Sequence, residues 1–141
     1  MSTLFSRIIK DEIPGRFVWR DERCVAFLTI EPLRPGHALV VPRQEVDEWT
    51  DAPGDLLAHL MMVAQHIGAA QKIGFDAPRS GVVIAGFEVP HLHVHVFPAW
   101  NIDDFNFRKA DRHPVPDALD SAADTLRQAL RQAGHGDRVS N

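Results

Sequence analysis

A chain of 141 residues, 45% of them apolar, has the length of one domain and can bury a core without staples. A formal net charge of −4 and a pI near 6.0 leave no basic footprint for a nucleic acid or a membrane surface. The single cysteine, Cys24, excludes an internal disulfide, and no stretch approaches the ~20 apolar residues of a membrane span, so a cytoplasmic protein is expected.

The predicted elements are those of an α+β chain. A short helix over Leu4–Lys10 ends at the turn signal Pro14-Gly15. Strands are predicted at Phe17–Arg20, Cys24–Leu28 and Ala38–Pro42, with the Pro/Gly-rich stretch Glu31–Gly36 joining the last two. Cys24 reads as a small core residue. After Pro53, residues Leu56, Leu60, Val63 and Ile67 fall on one face of a helix, and Gly74 suits its end. His59 and His66 on that helix read as surface or core-edge residues. Strands resume at Gly81–Ala85 and Leu92–Phe97. The polar stretch Asn101–Pro116 holds Arg108, Lys109, Arg112 and His113 near Phe105 and Phe107; it reads as a solvated connector in preference to a substrate-facing lid. Leu119, Ala122, Leu126 and Leu130 mark a C-terminal amphipathic helix ending near Gly134, and His135–Asn141 read as frayed.

One segment carries chemistry. In Pro90-His91-Leu92-His93-Val94-His95-Val96-Phe97-Pro98, three histidines alternate with aliphatic residues, the period-two pattern of a half-buried strand. The three imidazoles would leave one face, roughly 6.6 Å apart at about 3.3 Å rise per residue. Groups that titrate near neutrality on a rigid strand suit proton handling, metal binding or attack on phosphorus. Zinc is the weaker reading, because three residues along a straight strand converge poorly and Cys24 has no second thiol beside it. Phosphorus substitution fits best. His93, the central ring, has a possible donor on either side and is the candidate nucleophile.

His91-Leu92-His93-Val94-His95-Val96-Phe97 resembles the signature of the histidine triad (HIT) family of nucleotidyl hydrolases and transferases. The similarity extends to Phe5–Pro14, which resembles the family's opening helix, and to Val25-Ala26-Phe27-Leu28, which resembles its early strand. Pro35–Pro42 resembles the segment that carries a fourth histidine, His37, and Ala85-Gly86 before Glu88-Val89-Pro90 resembles the approach to the triad. The resemblance implies an antiparallel sheet of about five strands with a long helix and N- and C-terminal helices. It would place a HIT domain at 1–110 and a helical extension at 111–141.

The resemblance also implies a mechanism. The middle histidine, His93, would attack the α-phosphorus of a nucleotide, forming a nucleotidyl-histidine that water resolves. His95 would contact the phosphate and assist the leaving group, while His91 and His37 support and orient the rings. A third histidine, where transferases have glutamine, favours hydrolysis. Backbone around Gly86 and Glu88 would offer N–H groups to phosphate oxygens. The base would lie among Leu4, Phe5, Ile8, Phe27 and Ile30, although core packing explains Ile8 and Phe27 equally well. A homodimer binding an AMP- or GMP-type nucleotide is implied, with no cofactor.

The chain departs from the family pattern at several positions. Thr29 stands where many members have an aspartate on the ribose hydroxyls, leaving Glu31 to compensate or the sugar less firmly held. Ser80 aligns with a polar residue, often asparagine, which makes it a candidate nucleotide-binding residue, and Phe87 replaces a glutamine, removing an amide from the neighbourhood of the phosphate. Some bacterial relatives bind structural zinc through a Cys-x-x-Cys and a histidine together with the first triad histidine. Those positions here read Thr3, Ser6 and Glu45, with His91 alone retained, so no metal is expected. A nucleoside phosphoramidase-like hydrolase is the leading reading. Dinucleoside polyphosphate hydrolysis and a nucleotide-binding module with low turnover are the alternatives.

Overall fold

The computed structural model describes residues 2–139. Its order is α1 (Leu4–Ile9), β1 (Phe17–Arg20), β2 (Cys24–Leu28), β3 (Ala38–Pro42), α2 (Gly54–Gly74), β4 (Arg79–Val83), β5 (Val94–Ala99) and α3 (Pro116–Leu130), with short 3-10 turns between. The five strands form one antiparallel sheet in the order β1-β2-β3-β5-β4, which agrees with the expected α+β class. Among the described residues no helix is long and apolar enough to cross a membrane.

Side-chain alternation divides the chain between two apolar clusters. Cys24, Ala26 and Leu28 of β2, Ala38 and Val40 of β3, and Val94 and Val96 of β5 point to one face. There they meet Leu56, Leu60, Val63 and Ile67, the predicted apolar stripe of α2. Ala122, Ala123, Leu126 and Leu130 of α3 close the same core. Val25, Phe27, Leu39 and Val41 point the other way and are covered by Phe5 and Ile8 of α1. Full burial of a side chain such as Leu60 or Ile67 contributes about 1.5–3 kcal/mol.

Three expectations need correction. β5 begins at Val94, so His91 and His93 precede the strand and only His95 lies within it. The facing is nevertheless as the alternation requires: Leu92 enters the main core with Val94 and Val96, while Phe5 of α1 meets the rings of His91 and His93. β4 runs from Arg79 to Val83, two residues earlier than predicted. The C-terminal residues up to 139 are packed: His135 lies against Trp19 and His66, Val139 against the core, and Arg138 pairs with Glu22. Ser140 and Asn141 lie outside the described residues.

Candidate active site

His93, His95 and His37 come together at one side of the sheet. His93 and His95 have ring centroids 5.1 Å apart, and His37 and His95 have the same separation. This is closer than the spacing predicted along a straight strand, because His93 sits where the chain is only entering β5.

The hydrogen bonds decide which nitrogen of each ring carries a proton. A carbonyl can only accept, so His93 Nδ1–H donates to the His91 carbonyl at 2.7 Å. His93 Nε2 is left with its lone pair in the neutral ring. His37 Nδ1 accepts from the Leu33 N–H at 3.0 Å, so its proton is on Nε2 and is donated to His95 Nδ1 at 2.9 Å. His95 therefore carries its own proton on Nε2. A nucleophilic nitrogen and an N–H donor thus belong to neighbouring rings. Burial, then the neighbouring His93 charge, pulls His95 down to about 4, and burial holds His37 well below the usual imidazole range. Both rings are neutral at pH 7.

His91 is fully buried and belongs to a second network. Its Nε2–H donates to the Pro42 carbonyl at 2.7 Å, so its Nδ1 accepts from the Thr3 hydroxyl at 2.6 Å. The Thr3 oxygen in turn accepts from the Ser6 N–H, capping α1. Glu45 accepts from the Thr3 N–H at 3.0 Å and the Ser6 hydroxyl at 2.5 Å, and these bonds depress its carboxyl pKa, the Ser6 hydroxyl most. The four positions that hold structural zinc in some relatives do converge, but on two hydroxyls, a carboxylate and one imidazole. Those groups satisfy one another and lack the thiolates such a site uses, so zinc does not fit there.

A two-lobed cavity opens at His93 and His95. One lobe, about 300 Å³, is predominantly apolar and lined by Leu4, Phe5, Ile8, Phe27, Ile30, Leu39 and Val89, with Arg16 at its margin. The other, about 250 Å³, is lined by Gly86, Phe87, Phe107, Ala110 and Arg112. Thr29, Glu31, Glu88, His93 and His95 border both. Gly86 has φ +80 and open space beside its Cα, so its loop presents backbone to the second lobe without side-chain cover. The Thr29 hydroxyl accepts from the Glu31 N–H at 3.2 Å.

Of the sequence-predicted site residues, Ser80 does not border the two-lobed cavity. Its side chain points to the α2 face of β4, where its hydroxyl donates to Gln71 at 3.0 Å. Leu4, Phe5, Ile8, Phe27, Thr29, Ile30, Gly86 and Glu88 all border the cavity. The expected solvated connector also needs correction. Phe107 packs edge-on against His95 at 4.9 Å, the Asp111 N–H donates to the Pro32 carbonyl, and Arg112 faces the second lobe.

Gln71 escaped the sequence reading. Its buried amide N–H2 donates to the Gly36 and Val96 carbonyls, each at 2.9 Å, tying the residue before His37 to the residue after His95. The available signal was a polar residue one turn beyond Ile67 on the apolar stripe of α2. Gly36 itself, at φ +92, is packed so closely by Phe75 that a Cβ would lie 2.4 Å from the ring.

A second cluster of metal-type donors lies at the β1–β2 turn and α2. Asp21, Cys24 and His59 offer ligand atoms within 4.8 Å of one another. The Asp21 carboxylate already accepts from Trp19, His59, the Cys24 thiol and the Arg23 and Cys24 N–H groups. Burial raises its pKa, and those bonds together outweigh the burial to leave it well below the usual range. Burial, reinforced by Asp21, pushes the Cys24 thiol far up, which suits a structural knot.

A family profile described as "HIT domain" matches residues 10–101. An uncharacterized HIT-like protein of Methanocaldococcus jannaschii is 36% identical over 104 residues, covering 71% of this chain and 81% of the relative. A zinc-bound histidine triad family protein from Mycobacterium smegmatis superposes with TM-score 0.82 at 30% identity, covering 96% of this chain and 98% of that one. A hypothetical histidine triad nucleotide-binding protein from Sulfolobus tokodaii gives TM-score 0.79 at 28% identity, covering 91% of each chain.

Proposed function

Since the chain belongs to the HIT family, we propose that it is a nucleotide hydrolase acting at the α-phosphorus through a nucleotidyl-His93 intermediate, of the nucleoside phosphoramidase type. The carrying observation is the pair of tautomers: a lone pair on His93 Nε2 and a proton on the neighbouring His95 Nε2. In this reading the nucleoside occupies the apolar lobe, with its sugar near Thr29 and its α-phosphorus at the two rings. His93 Nε2 attacks phosphorus and the bond to the leaving group breaks. His95 Nε2–H donates a hydrogen bond to a phosphoryl oxygen or the departing atom, and the backbone at Gly86 faces the same charge. Water then attacks the phosphorus, freeing the nucleotide and His93, and the proton that this water gives up balances the one taken by the departing amine. His91 acts by holding its own carbonyl against His93 Nδ1, and His37 by setting the tautomer of His95. Cytoplasmic location and a homodimer belong to the same reading; β4 supports the latter as an unpaired sheet edge with Val82 exposed.

The test is acid-quenched single turnover of an adenosine phosphoramidate, followed by mass spectrometry. A mass increment of one nucleotidyl group on the peptide bearing His93 is expected. His93→Ala should lose the increment and more than the roughly 10²–10⁴-fold in rate that an acid or base alone would cost. A variant keeping a tenth of the wild-type rate would remove His93 as nucleophile.

A further inference from the structure

The two lobes meet at His93 and His95, which orders any substrate that reacts there. If the nucleoside fills the apolar lobe, the second lobe is the natural place for the leaving group: at about 250 Å³ it is larger than the other described cavity at His93, about 100 Å³, and it borders His95 as well. Among the described residues lining that lobe, Arg112 is the one cation, and it does not line the nucleoside lobe. Arg112 Nη1 lies 3.1 Å from Glu31 Oε1, and its side chain is 54% exposed beside a Glu31 that is 41% exposed. An ion pair this wet contributes little to stability and is readily exchanged for another anion. The segment that carries Arg112 is held in place independently, by the Asp111 N–H on the Pro32 carbonyl and by Phe107 against His95. It lies beyond the residues matched by the family profile.

We propose that Arg112 is a specificity residue for the leaving group: it exchanges Glu31 for an anion, selecting nucleotidyl conjugates whose leaving group carries a carboxylate or a phosphate. A planar guanidinium suits either anion, because both offer two oxygens to its fork. Glu31 in the free protein holds the arginine at the lobe through their ion pair and, as a carboxylate, disfavours an anion that arrives without displacing it. The inference rests on the proposed attack at the α-phosphorus for its orientation of the substrate.

The test compares three substrates sharing an adenosine 5′-phosphoryl group: the phosphoramidate of glycine, that of glycinamide, and diadenosine triphosphate. The wild type should favour the glycine conjugate over the neutral glycinamide conjugate by tenfold or more in kcat/KM. Arg112→Gln should bring that ratio within threefold of one, Arg112→Lys should retain part of it, and Glu31→Gln should keep or increase it. A merely structural ion pair predicts instead that Arg112→Gln and Glu31→Gln act alike. Whichever of the glycine and triphosphate substrates loses more on Arg112→Gln identifies the anion selected. Should turnover be too slow, the same ratio is read from Kd by calorimetry on His93→Ala protein. A wild-type ratio near one, or a ratio that survives Arg112→Gln, overturns the proposal. Turnover surviving in His93→Ala would instead overturn the nucleophile reading, leaving the Arg112 ratio to be judged separately.

Discussion

His37 Nε2 stands 2.9 Å from His95 Nδ1, and the polarity of that single bond is set by a backbone amide, Leu33 N–H, on the far side of the His37 ring. A peptide group therefore dictates, through two imidazoles, that the nitrogen His95 turns to the cavity is a donor. The arrangement requires both rings to be neutral, and that has a cost in acid.

Stability should fall as pH drops through the imidazole range. His95 is lowered to about 4 from an ordinary 6.5, and His37 and His91 are lowered too, chiefly by burial. The unfolded chain then binds protons first, so the stability these rings permit is complete above about 6.5 and is lost as pH falls toward 4. His66, lowered by burial and then by His135, acts in the same direction. Denaturant midpoints at pH 7.5, 6.5, 5.8 and 5.2 stay above most carboxylate titration. A flat series across these points would refute the assignment of neutral buried rings.

Thr3→Ala should destabilise the protein by about 1–3 kcal/mol, the cost of leaving a buried acceptor, His91 Nδ1, without a donor. Loss of the α1 cap lies within the same range. Urea unfolding measures it, and a change below about half a kcal/mol would mean the hydroxyl is replaced by water.

The purified protein should carry no stoichiometric zinc and should keep its melting temperature in chelator. Thr3, Ser6 and Glu45 already satisfy each other and His91. Elemental analysis finding about one zinc per chain, together with a lower Tm on chelation, would contradict the hydrogen-bonded account.

Thr29→Asp should sharpen the preference for ribo- over deoxyribonucleotides. A carboxylate grips a diol more firmly than a hydroxyl does, and facing a missing hydroxyl it pays the larger penalty, where an unpaired neutral group costs about 1–3 kcal/mol. Thr29 borders both lobes beside Glu31. The comparison is kcat/KM for a matched ribo and deoxyribo phosphoramidate pair in both proteins. Complete rejection of the deoxy substrate by the wild type would hand the sugar to Glu31.

Much of the scaffold is legible because apolar contrast is strong where a side chain must choose a face. Leu92, Val94 and Val96 oppose His91, His93 and His95, and that contrast survives although β5 starts only at Val94. Strand ends are less legible because they depend on pairing: β4 begins at Arg79 opposite Ala99, a register no local signal announces. Ser80 shows the same limit, since alignment placed it near the substrate and the pleat turns it to Gln71. The wall containing Phe107 and Arg112 was hidden for a different reason. Two of its anchors, Glu31 and Pro32, lie far away in the chain, and a polar stretch without periodicity gives no hint of them or of the contact with His95.

The tie between Thr3, Glu45 and His91 also bears on how the protein is made. A helix of six residues is too short to persist alone, so α1 has no shape to keep until its partners exist. During translation Leu4–Ile9 leave the ribosome long before Glu45, and longer still before His91. The earliest of these residues to be synthesised are thus among the last to settle, and the nascent chain has no apolar lobe until His93 and His95 have emerged.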